Sequence, residues 1–206
     1  MDYIAKKALE NKTDEFKDKV MGGLKKKKYG DLKWDEDFNF PPGINVYHFS
    51  MGEITAPERA VVSKLYICML LSTLMIFVNI ICESMDWFLG GVNVKFMRLI
   101  MGLLNAFIVI PLGVFSFYNG MRSVVINKAA YKYYACSQFV LNIFYGLAAF
   151  TNIGSFHGAI YIIMELKHPL IMIVSVVEMA VWFLILLISL YNQKNVRDFN
   201  DKNPNY

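Results

Sequence analysis

Charged residues are scarce in this chain, and they are unevenly distributed. They make up 18% of its 206 residues, whereas apolar residues make up 56%. An average soluble domain has about 25% charged and about 45–50% apolar residues. Most of the charges lie in residues 1–64, and residues 65–191 contain few. This asymmetry indicates a soluble tail followed by a membrane domain.

Signatures of catalysis and of metal binding are also missing. The sequence has no phosphate-binding glycine-rich loop, no nucleophile elbow and no cluster of His and Cys at ligand spacing. Its histidines are scattered at His48, His157 and His168. We therefore expect a protein that is not an enzyme, with no catalytic residues, no cofactor and no metal site.

A cleavable signal peptide and a disulfide framework are not indicated either. Residues 1–30 contain no apolar core run, so the first apolar stretch is expected to serve as the insertion signal. Cys68, Cys82 and Cys136 all fall within or at the ends of apolar stretches. None lies in a loop outside the membrane where disulfides form, so no disulfide is predicted.

Four apolar stretches dominate the rest of the chain. A helix needs about 20 mostly apolar residues to cross a hydrocarbon core of about 30 Å. Helices are expected because they satisfy their own backbone hydrogen bonds in lipid, and the stretches lack the alternation of barrel strands. The predicted fold class is thus all-α integral membrane. The four predicted transmembrane helices lie at 65–82, 99–117, 133–151 and 169–191.

Two tails flank this membrane domain, which is predicted to span residues 64–191. The tails are residues 1–63, expected to be largely irregular, and residues 192–206. If both tails and the connection after the second span lie on one side, that side holds 18 of the 21 Lys and Arg residues. Such residues concentrate in cytosolic segments, so both termini are expected in the cytosol.

The connection between the second and third predicted spans combines aromatic and basic residues. Aromatic rings settle at the headgroup level, and Lys and Arg attract anionic lipids. The segment is therefore predicted to be an amphipathic lipid-contact loop on the cytosolic leaflet. The predicted contacts are Phe117, Tyr118, Arg122, Lys128 and Lys132. A plain cytosolic loop is the alternative.

Each tail carries one short pattern typical of sorting signals. Tyr29 and Leu32 fit the tyrosine-based pattern that clathrin adaptors read as an extended peptide. Asn203, Pro204 and Tyr206 fit an Asn-Pro-x-Tyr turn. Both patterns are short, and they are predicted as candidate adaptor sites.

Glu178 lies near the centre of the fourth predicted span. A charged carboxylate there costs at least about 2.5–3.5 kcal/mol, and no Lys or Arg within a span is available to pair with it. It is expected to be protonated or hydrogen-bonded to polar side chains of other spans, with Asn79, Asn105 and Asn142 among the candidates. A proton or ion pathway is one hypothesis, and hydrogen bonding between helices is the other.

Several short motifs occur in a set order along the chain. Asn39-Phe40-Pro41-Pro42 and Phe49 precede the first span, and Lys64-Leu65-Tyr66 opens it. Phe117-Tyr118-Asn119-Gly120-Met121-Arg122 follows the second span. Over residues 38–191 this order resembles the secretory carrier-associated membrane proteins, whose amphipathic cytosolic segment holds that last place. The resemblance implies a non-catalytic, four-helix protein of post-Golgi and endosomal vesicle traffic.

The preferred function is therefore post-Golgi and endosomal vesicle trafficking, with the protein located in the Golgi, endosomes, secretory vesicles or plasma membrane. The expected partners are anionic lipids of the cytosolic leaflet and clathrin adaptors. One alternative is a structural or accessory subunit of a larger membrane complex, such as a proton pump or respiratory assembly. Another is a small transporter that uses Glu178. No nucleic acid is expected, because acidic residues directly follow the basic run Lys25–Lys28.

Overall fold

The described residues form a set of helices and one short irregular segment. The computed structural model describes residues 38–90, 92–151, 154–164 and 169–203. The chain divides into two compact units, Met1–Ser50 and Met51–Tyr206. Helices of the described residues are α1 (Ala56–Gly90), α2 (Val92–Val125), α3 (Tyr131–Phe150), α4 (Ala159–Met164) and α5 (Pro169–Lys202), with a 3-10 turn at Lys128–Ala130.

In the first unit, the described residues form a tight turn held by an asparagine. The side chain of Asn39 donates to the carbonyl of Phe49 at 3.0 Å and accepts from its amide at 2.7 Å. Phe40 and Tyr47 form an isolated antiparallel bridge. The Phe40 and Phe49 rings meet edge to face, with their centroids 5.3 Å apart. These contacts hold residues 39–49 as a compact segment.

The start of α1 is fixed by a local side-chain contact. The Thr55 hydroxyl donates to Oε2 of Glu58 at 2.6 Å, and the same oxygen accepts from the Thr55 amide at 3.2 Å. Glu58 thus satisfies a backbone donor that the helix leaves without an intrahelical partner. Arg59 adds a hydrogen bond from its guanidinium to the carbonyl of Ile54 at 2.9 Å.

Three of the helices are long and apolar enough to cross a membrane. The qualifying segments are Ala56–Ser84, Phe96–Val125 and Met172–Lys202, with mean hydropathies of 2.4, 2.2 and 2.6. The fourth long helix, α3, contains 20 residues, and its polar Gln138 and Asn142 are buried inside the bundle. The predicted all-α fold with four long helices is confirmed. The predicted spans 65–82, 99–117 and 169–191 lie within these helices, and 133–151 extends one residue beyond the end of α3 at Phe150. Helix α2 continues past Phe117 to Val125.

The distribution of side chains is that of a membrane protein. Large apolar residues project outwards, including Phe107, Ile108 and Ile163, which are 80%, 63% and 70% exposed. Conversely, several Ser, Asn, Gln and Glu side chains are buried among the helices. Lipid accepts apolar groups, whereas buried polar groups need partners within the protein. The outer surface therefore suits a bilayer.

Aromatic packing joins three parts of the chain around Trp182, which is fully buried in α5. Tyr145 of α3 stacks on the indole, with ring centroids 5.8 Å apart. Phe156, in the loop after α3, contacts the same indole edge to face at 5.8 Å. Such pairs contribute about 0.5–1.5 kcal/mol beyond their area burial. This packing holds the loop against α5.

Contacts between distant residues show which helix ends lie together. The side-chain amide of Asn192 donates to the carbonyl of Lys64 at 3.0 Å. Nζ of Lys128 donates to the carbonyl of Asn200 at 2.9 Å. The start of α1, the α2–α3 connection and the last turns of α5 therefore form one end of the bundle, termed here the basic end. The opposite end, termed the loop end, contains the loop 154–158.

Candidate functional site

The predicted lipid-contact residues lie at the basic end, but not as an open loop. Phe117 and Tyr118 are within α2 and are buried. The Tyr66 ring of α1 packs against that of Phe117, with centroids 5.6 Å apart. The apolar positions of this segment face the protein because α2 continues as a regular helix to Val125. The two aromatic side chains are therefore buried within the protein, whereas the sequence predicted that they contact lipid.

The basic residues of this segment have different surroundings. The Arg122 guanidinium lies 5.9 Å from the centre of the Tyr118 ring, so it can make a cation–π contact. The Lys128 ammonium donates a hydrogen bond to the backbone carbonyl of Asn200. Lys132 is exposed at the start of α3. Of the predicted contacts, Lys132 is thus the one most open to the surroundings.

Further cations surround this end and widen the basic surface. Exposed Lys and Arg side chains come from the start of α1 and from the end of α5 as well as from α3. They are Arg59, Lys64, Lys132, Lys194, Arg197 and Lys202. Arg197 lies 3.8 Å from Asp201, and both side chains are exposed. Exposed pairs of this kind contribute little to stability.

The two sorting patterns are only partly within the described residues. Asn203 ends α5, because its amide and its side chain both donate to the carbonyl of Phe199, at 3.2 and 2.9 Å. Pro204 and Tyr206 lie outside the described residues, as do Tyr29 and Leu32.

Glu178 belongs to a buried cluster at the loop end, which we term the ionic network. Oε2 of Glu178 lies 2.8 Å from Nδ1 of His157. Oε1 accepts from the side-chain amide of Asn79 at 2.7 Å and from the Trp182 indole at 3.4 Å. All four side chains are almost completely buried. Asn79 was among the predicted partners of Glu178, whereas His157 was not.

A second carboxylate, Glu83 of α1, completes the ionic network. Its oxygens accept two-pronged hydrogen bonds from Arg98 of α2, with Nη2 to Oε1 at 2.8 Å and Nε to Oε2 at 3.2 Å. Nε2 of His157 lies 3.3 Å from Oε1 of the same carboxylate. Such geometry is the strongest type of Arg–carboxylate contact. The network thus joins α1, α2, the loop 154–158 and α5.

Hydrogen bonds to the loop backbone extend the network. The Asn79 side chain donates to the carbonyl of Ser155 at 2.8 Å, and the Ser155 hydroxyl donates back to Asn79 at 2.9 Å. Asn105, another residue singled out from the sequence, donates to that hydroxyl at 3.2 Å. The loop is therefore bound on several sides by side chains of the helices.

Asn142 lies in a separate polar cluster between α2, α3 and α5. The Ser116 hydroxyl donates to Gln138 at 2.8 Å, and Gln138 donates to Ser189. Asn142 accepts from the Ser189 hydroxyl and donates to Gln193 at 3.1 Å. These bonds satisfy polar groups that lipid could not, and they set the register of three helices.

The contacts of the ionic network are those expected of side chains that hold helices together, rather than those of a transport path. Glu178 is engaged by a histidine, an amide and an indole, which favours the hypothesis of hydrogen bonding between helices. Within the described part of the chain, no group of three or more His, Cys, Asp or Glu side chains is placed to hold a metal ion.

Sequence reasoning missed the roles of Glu83, Arg98 and His157. Arg98 lies within the apolar segment Phe96–Val125, so a span does contain a cation. A signal existed: Glu83 and Arg98 stand eight and seven positions from Gly91, which separates α1 from α2. Short connections make consecutive helices antiparallel neighbours, so such positions face each other. His157 had no comparable signal, because its partners are distant in sequence.

The fold and its outward apolar surface define an all-α integral membrane protein. A family model described as "SCAMP family" matches residues 37–203. The chain therefore belongs to the SCAMP family, as the motif order indicated, and it is a membrane trafficking protein. Members of this family are non-enzymatic. Neither curated proteins nor solved structures gave a match.

Proposed function

We propose that this protein acts in post-Golgi and endosomal vesicle traffic, with both termini in the cytosol and without catalysis. The observation that carries the proposal is the gathering of exposed cations at the basic end. Each Lys or Arg near an anionic leaflet contributes about 1 kcal/mol of attraction. This end would contact the lipids of the cytosolic leaflet, and the tails would supply the adaptor motifs.

The contrast between the two ends supports the orientation. At the loop end, Arg98 is bound to Glu83 inside the bundle. The cations of the basic end come from three helices that the fold brings together. Since Lys and Arg concentrate on the cytosolic side of membrane proteins, the basic end is the cytosolic one.

The mode of lipid contact follows from the burial pattern. Phe117 and Tyr118 pack within the protein, so the contact rests on exposed cations such as Lys132 and Lys194 rather than on inserted aromatic rings. Attraction of this kind is electrostatic and weakens as salt rises. Binding to anionic vesicles should therefore be sensitive to ionic strength.

Charge reversal tests this contact. Lys132→Glu combined with Lys194→Glu should reduce the co-localisation of a tagged protein with Golgi and endosomal markers. Lys132→Arg with Lys194→Arg keeps the charge and should leave the distribution unchanged. Equal distributions for the two pairs would contradict the lipid-contact role.

Compartment and topology need separate measurements. A C-terminal tag should be digested by protease added outside intact vesicles, and the tagged protein should share puncta with Golgi or endosomal markers. A mitochondrial pattern would contradict the proposal. Stoichiometric co-migration with a large complex would instead favour the accessory-subunit function.

A further inference from the structure

Both ring nitrogens of His157 face carboxylate oxygens. Nδ1 lies 2.8 Å from Oε2 of Glu178, and Nε2 lies 3.3 Å from Oε1 of Glu83. The histidine is 3% exposed, and both glutamates are buried as deeply. This buried imidazole lies between two acidic groups on different helices. The number of N–H groups on its ring therefore determines whether one or both carboxylates receive a hydrogen bond.

A neutral imidazole carries one N–H donor and one lone pair, whereas an ionised carboxylate can only accept. With both carboxylates ionised, a neutral ring would set a lone pair against one carboxylate oxygen. A ring with two N–H groups would satisfy both. We propose that the network is a proton-binding site, in which His157 holds a proton and links Glu83 to Glu178 as an imidazolium.

The surrounding charges agree with this assignment. On α1 the facing group is Glu83. On α2 the facing group is Arg98, and on α5 it is Glu178. One guanidinium and one imidazolium balance two carboxylates. Without the proton, the network would hold one uncompensated negative charge.

An uncompensated charge within a buried cluster is costly. The folded loop end therefore favours the form of the network that holds one proton. Low pH favours the joined state of α1, the loop 154–158 and α5, and rising pH weakens it.

The physiological direction of this response rests on the proposed function. If the basic end is cytosolic, the loop end faces the lumen, and the protons come from the lumen of the compartment. Acidification of that lumen would then close the loop end, and a neutral surrounding would loosen it. The proton-binding site itself does not depend on the orientation.

Isotope labelling tests the protonation directly in the full-length protein. The chain has three histidines, so selective ¹⁵N labelling of imidazole gives three sets of ring signals. His48→Gln and His168→Gln assign two of them. At pH 5, both nitrogens of His157 should show the shifts of an imidazolium, and these should change in one step as the pH rises to 8. A neutral ring throughout this range would overturn the proposal.

A fluorescence titration reports the linked change in the helices. Trp182 lies against Glu178, and the other two tryptophans, Trp34 and Trp87, can be replaced by Phe. This single-tryptophan protein should show one emission step between pH 5 and 8. Adding His157→Gln should abolish the step, and adding His48→Gln should preserve it. A step that persists without His157 would contradict the assignment.

The two proposals can fail separately. If His157 titrates but protease reaches the loop end from the cytosolic side, the proton site stands and the proposed orientation falls. If the orientation is correct but His157 stays neutral, the trafficking proposal stands without a proton site. If His157→Gln does not fold, the titration of the unaltered His157 in the labelled protein still decides the question.

Discussion

Nδ1 of His157 lies 2.8 Å from Oε2 of Glu178, so a loop histidine is bound to a carboxylate of the apolar helix α5. The contact gives the carboxylate a partner that its own span does not contain. It also ties the loop to α5 beside the Trp182 aromatic cluster. The cost of a carboxylate in this span is thereby offset by a contact from outside it.

Replacement of Glu178 should destabilise the bundle. Glu178→Leu removes the carboxylate that contacts His157 and accepts from Asn79. Removing one partner of a buried ion pair typically costs about 3–5 kcal/mol. Thermal unfolding in detergent should show this as a large fall in the midpoint. Val177→Leu, at an outward-facing neighbour, should leave the midpoint almost unchanged. Equal midpoints for the two variants would contradict the role of Glu178.

Glu83 and Arg98 should behave as a coupled pair. Glu83→Gln and Arg98→Gln each leave a charge in the network without its main partner. The double variant removes both charges, so its loss should be smaller than the sum of the single losses. Contacting residues commonly show interaction energies of about 0.5–3 kcal/mol. A double-mutant cycle on the unfolding free energy measures this term, and strict additivity would argue against direct coupling.

Gly120 should not tolerate a larger side chain. A Cβ atom there would lie 2.9 Å from Cδ2 of Tyr134 and 3.0 Å from Cδ1 of Leu65. Tyr134 is fully buried, so its ring has little room to shift. Overpacking of this kind costs about 1–3 kcal/mol, and Gly120→Ala should lower the unfolding midpoint.

Gly146→Ala provides the matched control for Gly120→Ala. Gly146 is also helical, but nothing lies within 4 Å of the position of its Cβ. Alanine is the better helix former, so this substitution should be neutral or slightly stabilising. A similar loss at both glycines would show that helix propensity, rather than the contact with Tyr134, governs the effect.

Gly158 should be required for the loop end. A Cβ atom there would collide with the carbonyl of Thr151 and lie 2.7 Å from its amide nitrogen. Backbone atoms cannot rotate away as side chains do, so Gly158→Ala should displace the loop that carries His157. The Trp182 emission step should then be lost or shifted. Gly102→Ala meets only ordinary contacts at 3.5–3.6 Å and should retain the step.

The sequence predicted the fold class well because apolar length is a local property. Four stretches of sufficient length required helices in lipid, and four long helices are present. The predicted contact between Asn79 and Glu178 is also found. The environment of Phe117 and Tyr118 was not predictable, because an aromatic residue beside cations suits a membrane interface and a buried helix face equally well.

An integral membrane protein with a charged N-terminal segment, four long helices and the motif order of the SCAMP family follows from the sequence alone. Which polar groups contact each other depends on the packing of the helices. Asn79 and Glu178 are 99 positions apart, and their contact depends on how α1 and α5 pack. Apolar length acts within one segment, whereas the pairing of buried charges depends on helix register and rotation. Those are set by all helices together.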